Sequence, residues 1–325
     1  MRALALVLML SAAVHASPRA CSVRLPLSVH PAPGQPSTTH LTDVLPLGQR
    51  FDRIVPWWNA RTADGGEVTI EALVHRDGKP LGGWLTIATW SKQVRGHRDT
   101  GAGDVTLDQD TLKVTGGADA VQLRATVRGH ALLTALGVTA FRTDADASPD
   151  VTSASGPVTY PVKYRSQRDA DPAISARICG PTSLSMALAF RGVELPTESV
   201  AALAKDPPGP IPYGNWAYLA ATAAELGVAS EVRAMDGLDD VVRELKAGNL
   251  VILALAFKKK TLSNAPISST VGHLVLARGF DVDGNIFVND PAGHGPADGQ
   301  VRYRREELAR AWRRGIGIVI RMAQP

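Results

Sequence analysis

The sequence predicts an α+β domain, N-terminal helices packed on an antiparallel sheet, preceded by an all-β sandwich-like domain. Three observations predict it. Between residues 51 and 141, short runs alternate apolar and polar residues across Gly and Asp turns. Residues 142–157, "RTDADASPDVTSASGP", lose that periodicity and concentrate Asp, Ser, Ala and Pro. Beyond them the texture becomes helical runs first and strand-like runs afterwards. A chain of 325 residues has room for two such domains.

Taken in order, the chain opens on Met1-Arg2 and the apolar run "ALALVLMLSAAV", closed by Val14-His15-Ala16. A short positive start, an apolar core and an A-x-A-like end predict a secretory signal peptide over residues 1–16, too short to span a membrane. Secretion or a periplasmic location follows as an expectation. Residues 17–42, "SPRACSVRLPLSVHPAPGQPSTTHLT", read as an irregular lead-in rich in Pro, Ser and Thr.

An accessory domain is expected over residues 43–145. "EVTIEALVHRDGKPLGGWLTIATW" carries Asp77-Gly78 as a turn between two strands, and "TLKVTGG", "AVQLRATVRG" and "ALLTALGVTAF" continue the alternation. Such spacing suggests a β-sandwich. Its Trp57, Trp58, Trp84 and Trp90 suit either its core or a face for glycan or cell-surface contact. Residues 146–157 form the predicted linker.

In residues 158–325, "PTSLSMALAF", "GNWAYLAATAAELG" and "DDVVRELKAG" predict helices, the last ending at Gly248. "LVILALAF", "HLVLARGFD" and "NIFVND" predict strands, the last two joined through Val282-Asp283-Gly284.

Composition narrows the function. The net charge is +4, with 45% hydrophobic and 20% charged residues, and the basic residues are dispersed. Lys258-Lys259-Lys260 is the one tight basic cluster and fits a solvated loop, so nucleic-acid binding is not indicated. No later run has about 18 unbroken apolar residues, so no membrane span is expected. There is no His-Glu-x-x-His, no closely spaced Cys/His set and no Gly-rich phosphate loop. No metal or cofactor is expected.

The chemistry centres on "ICGPTSLSMAL". Pro181 suits a first helical turn, which puts Cys179 at a helix N-terminus. Free N–H groups and the helix dipole favour a thiolate there. A packed, inert thiol fits the local sequence equally well. The chain has two cysteines, and a Cys21–Cys179 bond would occupy the sulfur concerned. A thiolate nucleophile needs a base held by a third group. Only His273 and His294 follow the linker. His273 starts a strand-like run, whereas His294 lies in the glycine-rich loop "PAGHGPADG". If 273–281 pairs with 285–290, Asp290 comes near His273 and can orient the imidazole. Gln167, 12 residues before Cys179, is a candidate donor to an oxyanion.

In that order, Gln167, Cys179-Gly-Pro-Thr-Ser, Gly272-His273 and Asn289-Asp290-Pro291 resemble the papain-like cysteine peptidases of the bacteriocin-leader-processing type, peptidase family C39, and especially their stand-alone secreted relatives. The resemblance covers about residues 158–320. It implies a papain-like fold with Cys179 as nucleophile, His273 as general base and acid, Asp290 as orienting residue and Gln167 as oxyanion donor. It further implies a peptide or protein substrate and an acyl-enzyme. The transporter fusion of the leader-processing members has no counterpart here, nor does the resemblance reach residues 43–145. A non-catalytic peptide- or wall-binding protein, or an acyl transferase with the same triad, are the alternatives.

Overall fold

The computed structural model describes residues 13–17, 19–92, 95–96, 99–144, 156–207 and 211–322, without the side chains of 313 and 314. The chain divides into two compact units, Met1–Arg142 with Asp206–Pro210, and Thr143–Lys205 with Ile211–Pro325. Most of the predicted signal peptide and the centre of the predicted linker lie outside the described residues. Among the described residues no helix is long and apolar enough to cross a membrane.

The first unit is antiparallel sheet: β1 (Ala13–Ala16), β2 (Ala20–Val29), β3 (Ser37–Leu41), β4 (Leu45–Thr62), β5 (Glu67–Arg76), β6 (Lys79–Pro80), β7 (Leu85–Trp90), β8 (Gly101–Ala102), β9 (Val105–Asp108), β10 (Thr111–Arg128) and β11 (Ala131–Phe141). Asp77 and Gly78 both take positive φ, the two-residue turn that joins β5 to β6. Among the described residues, the strands of the expected sandwich-like domain hydrogen-bond into one sheet of eleven strands. The 18-residue β4 and β10 run through it, and the register of β10 breaks between Lys113 and Ala118 around Gly116 and Gly117, both at positive φ. Bulges of this kind let one long strand bend and serve two partners.

Two expectations are corrected here. Residues 17–42 are not an irregular lead-in, since β2 pairs with β11 and β3 with β10. Their partners lie about a hundred residues downstream, so local Pro, Ser and Thr content hid the strands. The tryptophans do not form a binding face. Trp57, Trp58 and Trp90 are fully buried, with the Trp58 and Trp90 rings 5.7 Å apart edge to face. The half-buried Trp84 is covered by the Arg124 guanidinium at 4.4 Å. Cys21 on β2 is a buried free thiol, and burial pushes its pKa up.

The second unit runs β12 (Val158–Thr159), α1 (Cys179–Phe190), α2 (Thr197–Ala204), α3 (Trp216–Glu225), β13 (Ser230–Ala234), α4 (Leu238–Lys246), β14 (Leu250–Phe257), β15 (Thr270–Phe280), β16 (Ile286–Asn289), α5 (Pro296–Gly299), β17 (Gln300–Tyr303), α6 (Arg305–Ala311) and β18 (Trp312–Ile320). Its sheet has the order β13-β18-β14-β15-β16-β17, with β12 beside β15. α1 buries every residue from Gly180 to Leu188, and the hydroxyls of Thr182, Ser183 and Ser185 donate to backbone carbonyls. Asn215 caps α3 by accepting from the Tyr218 N–H at 2.8 Å. Leu253, Val275, Phe280, Val288 and Tyr303 belong to the core on the sheet. Lys258, Lys259 and Lys260 are exposed between β14 and β15.

Candidate active site

Three constraints place Cys179. Ile178 offers no side-chain cap, so the first N–H groups of α1 face outward from the helix start, where Cys179 stands. Ser183 donates to the Leu274 carbonyl at 3.0 Å and ties α1 to β15, one residue past His273. Gly180 permits the close approach: a Cβ there would lie 2.8 Å from the Leu274 side chain and 3.0 Å from the Tyr213 carbonyl. Cys179 itself stays partly exposed.

The β15–β16 hairpin places the other two groups. Asp281 accepts from the N–H groups of Asp283 and Asn285, and Gly284 takes φ +77°, which sets the turn. The register then pairs Leu276 with Asn289, and Asp290 follows at the strand end nearest His273. The His273 Nε2 is 2.7 Å from Asp290 Oδ1, and both residues are buried. Because Nε2 faces the carboxylate, Nδ1 is the atom left for the hydrogen bond between His273 and the Cys179 thiol.

Asp290 has two further donors. The Ala292 N–H donates to Oδ1 at 3.0 Å and the Tyr303 hydroxyl to Oδ2 at 2.7 Å. The Tyr164 hydroxyl lies within hydrogen-bonding distance of the Asp290 and Gly293 carbonyls, at 2.9 and 3.0 Å. Burial pushes the Asp290 carboxyl up, but the His273 charge and these donors outweigh it and hold it below the usual carboxylate range.

Charge is shared along this chain of contacts. Burial pushes the Cys179 thiol up; the hydrogen bond and charge of His273 and the N–H groups of Leu274 and Gly180 more than offset it, and the thiol lies below its ordinary value. Burial lowers His273, yet the Asp290 charge and hydrogen bond, joined by Cys179, raise it to about 10. A depressed thiol beside an elevated imidazole is the condition for a thiolate–imidazolium pair.

Gln167 stands between the two elements. Its N–H donates to the Pro291 carbonyl at 2.8 Å, and its side-chain Nε2 donates to the Ser175 carbonyl at 2.8 Å, four residues before Cys179. One amide hydrogen remains for another acceptor. His294 is exposed on the turn into α5 and stands apart from this cluster. Tyr303 and Tyr164 went unforeseen in the sequence. Each sits in a short stretch whose partner is fixed only by tertiary pairing, although the alternation in "QVRY" marks Tyr303 as inward-facing.

Comparison with known proteins agrees with the division of the chain. Residues 159–316 match the Peptidase_C39 like family, and residues 30–148 match the Peptidase C39 N-terminal domain. Among solved structures, a candidate C39-like peptidase from Bacillus anthracis is 17% identical, with a TM-score of 0.41, covering 53% of this chain and 100% of that one. No curated protein matches the chain.

Proposed function

We propose, from this chain's membership of the Peptidase_C39 like family through residues 159–316, that it is a secreted cysteine peptidase acting through Cys179, His273 and Asp290. The observation that carries the proposal is the position of His273, hydrogen-bonded to the Cys179 thiol on one side and 2.7 Å from a buried carboxylate on the other. The thiolate attacks a peptide carbonyl carbon, and a C–S bond forms as the carbonyl π electrons move to oxygen. The Cys179 N–H at the start of α1 and the spare Gln167 amide hydrogen are the donors offered to that oxyanion. The intermediate collapses, the C–N bond breaks, and the imidazolium of His273 gives its proton to the leaving nitrogen. Water then attacks the thioester, losing a proton to His273, and the acid leaves as the C–S bond breaks.

Secretion rests on the apolar run after Met1-Arg2 and its Ala-rich end. Incubation of the purified chain with a peptide library tests the activity. Cleavage by the wild type that is absent in Cys179→Ala and in His273→Ala, both folded by circular dichroism, supports it. Unchanged cleavage in either variant overturns it. Mass spectrometry of the exported protein tests processing near Ala16.

A further inference from the structure

Tyr303 is wholly buried on β17, its ring among the apolar residues of the sheet core, which include Phe280, Ile286, Val288 and Leu308. Its one polar atom meets Oδ2 of Asp290, at 2.7 Å. The carboxylate is divided as a result. Oδ1 takes His273 and the Ala292 N–H, and Oδ2 takes Tyr303. A buried tyrosine hydroxyl needs an acceptor, and many backbone carbonyls serve; here the acceptor is the carboxylate that faces the histidine.

We propose that Tyr303 is a positioning residue that tempers Asp290: it holds Oδ2 so that Oδ1 alone faces His273, and it draws off part of the carboxylate's charge. The proposal rests on the triad assigned above and deepens it. A buried carboxylate with an idle oxygen is a stronger base than one that accepts on both, because each hydrogen bond to the anion lowers its proton affinity. Unrestrained, Asp290 would hold the imidazolium proton more tightly and make His273 a poorer acid toward a leaving amine. The titratable groups facing the dyad are Cys179 on α1, Tyr303 on β17 and Tyr164 in the segment before α1, with Asp169 and Asp298 acting on Tyr164. Burial and the Asp290 charge push the Tyr303 phenol far up, so it stays a donor across the working range.

The experiment needs no substrate. Proton NMR of histidine-labelled full-length protein follows the His273 ring, assigned by its loss in His273→Gln, as a function of pH. The wild-type midpoint is expected at about 10. Tyr303→Phe removes the donor and raises the midpoint by roughly half a unit or more. Replacing Tyr303 with fluorotyrosine, nearly isosteric and a stronger donor, lowers it. Opposed shifts distinguish charge tempering from loss of packing, which would move both variants the same way. An unmoved midpoint in either variant, or shifts of one sign in both, overturns the proposal. Should Tyr303→Phe fail to fold, the fluorotyrosine variant decides alone. If instead Cys179→Ala retained peptide cleavage, the proposed activity would fail while this titration still reported on the dyad.

Discussion

The two units each carry one cysteine, and the contrast between them separates burial from chemistry. Cys21 and Cys179 both experience burial that pushes the thiol upward. For Cys21 that is the only influence, and its pKa rises. For Cys179 the same penalty is outweighed by His273 and by two backbone N–H groups. Both units contain an antiparallel sheet, so the presence of one does not make the difference. A helix start laid across the end of a hairpin does, because it brings oriented N–H donors and an imidazole to one sulfur. The first unit buries Trp57, Trp58 and Trp90 in its interior.

The contrast is broken most directly at the sulfur. Cys179→Ala is expected to lower peptide hydrolysis by about 10³-fold or more, the usual scale for removing a nucleophile, measured with peptides cleaved by the wild type. Cys21→Ala is expected to leave it unchanged. Equal losses in the two variants would erase the distinction between the thiols.

A second test removes the cause and keeps the thiol. His273→Ala leaves Cys179 with burial and backbone N–H groups, so its pKa should climb to or above the ordinary value of about 8.5. Alkylation by iodoacetamide at about pH 6 should then slow by roughly 10²-fold, and Cys179 should behave like Cys21. In the wild type the pair is intact. The thiolate is protonated, and both alkylation and hydrolysis fade, only as pH drops through the lowered Cys179 pKa. As pH rises through about 10, His273 loses its proton, so hydrolysis declines while alkylation persists. A wild-type alkylation profile centred at the ordinary thiol value would contradict the pair.

Gly180→Ala sharpens the contrast from the backbone side. The added Cβ would lie 2.8 Å from Leu274 and 2.9 Å from Leu219, so α1 must shift from β15 or the side chains must move. A loss of about 1–3 kcal/mol is expected from such overpacking, read by denaturant unfolding, with slower alkylation of Cys179 as the His273 contact lengthens. Undiminished alkylation would show that the sulfur does not depend on this close approach.

How much of this was legible follows from where each partner lies. Cys179, Pro181 and the helix after them are local, and one stretch of sequence carries them. The approach of Asp290 to His273 was legible because Asp283-Gly284 names a hairpin turn and a hairpin sets register. Tyr303 was not: its contact with Asp290 depends on β16 pairing with β17, and "QVRY" by itself says only which residues face inward. Nor were β2 and β3, whose partners on β11 and β10 are distant in sequence and whose own composition reads as loop. The pairing of all the described strands of the first unit into one hydrogen-bonded sheet was not legible either, since alternation marks strands but not where a long one bends.

The smallest expected effect lies at the inert thiol, and it tests the comparison from the other end. Cys21 on β2 is buried opposite Ala140 on β11, a small neighbour in a paired sheet. Cys21→Ala removes only a sulfur from this buried position and is expected to cost about 1 kcal/mol, the scale of losing one methylene-sized group from a core. Cys21→Ser should cost more, because a hydroxyl buried without a matched acceptor carries a desolvation penalty of about 1–3 kcal/mol. Denaturant melts of the two variants give the order, and alkylation of Cys179 serves as the control that should not move. A serine variant as stable as the alanine one would mean that this thiol sits in a polar site, and burial would no longer account for its raised pKa.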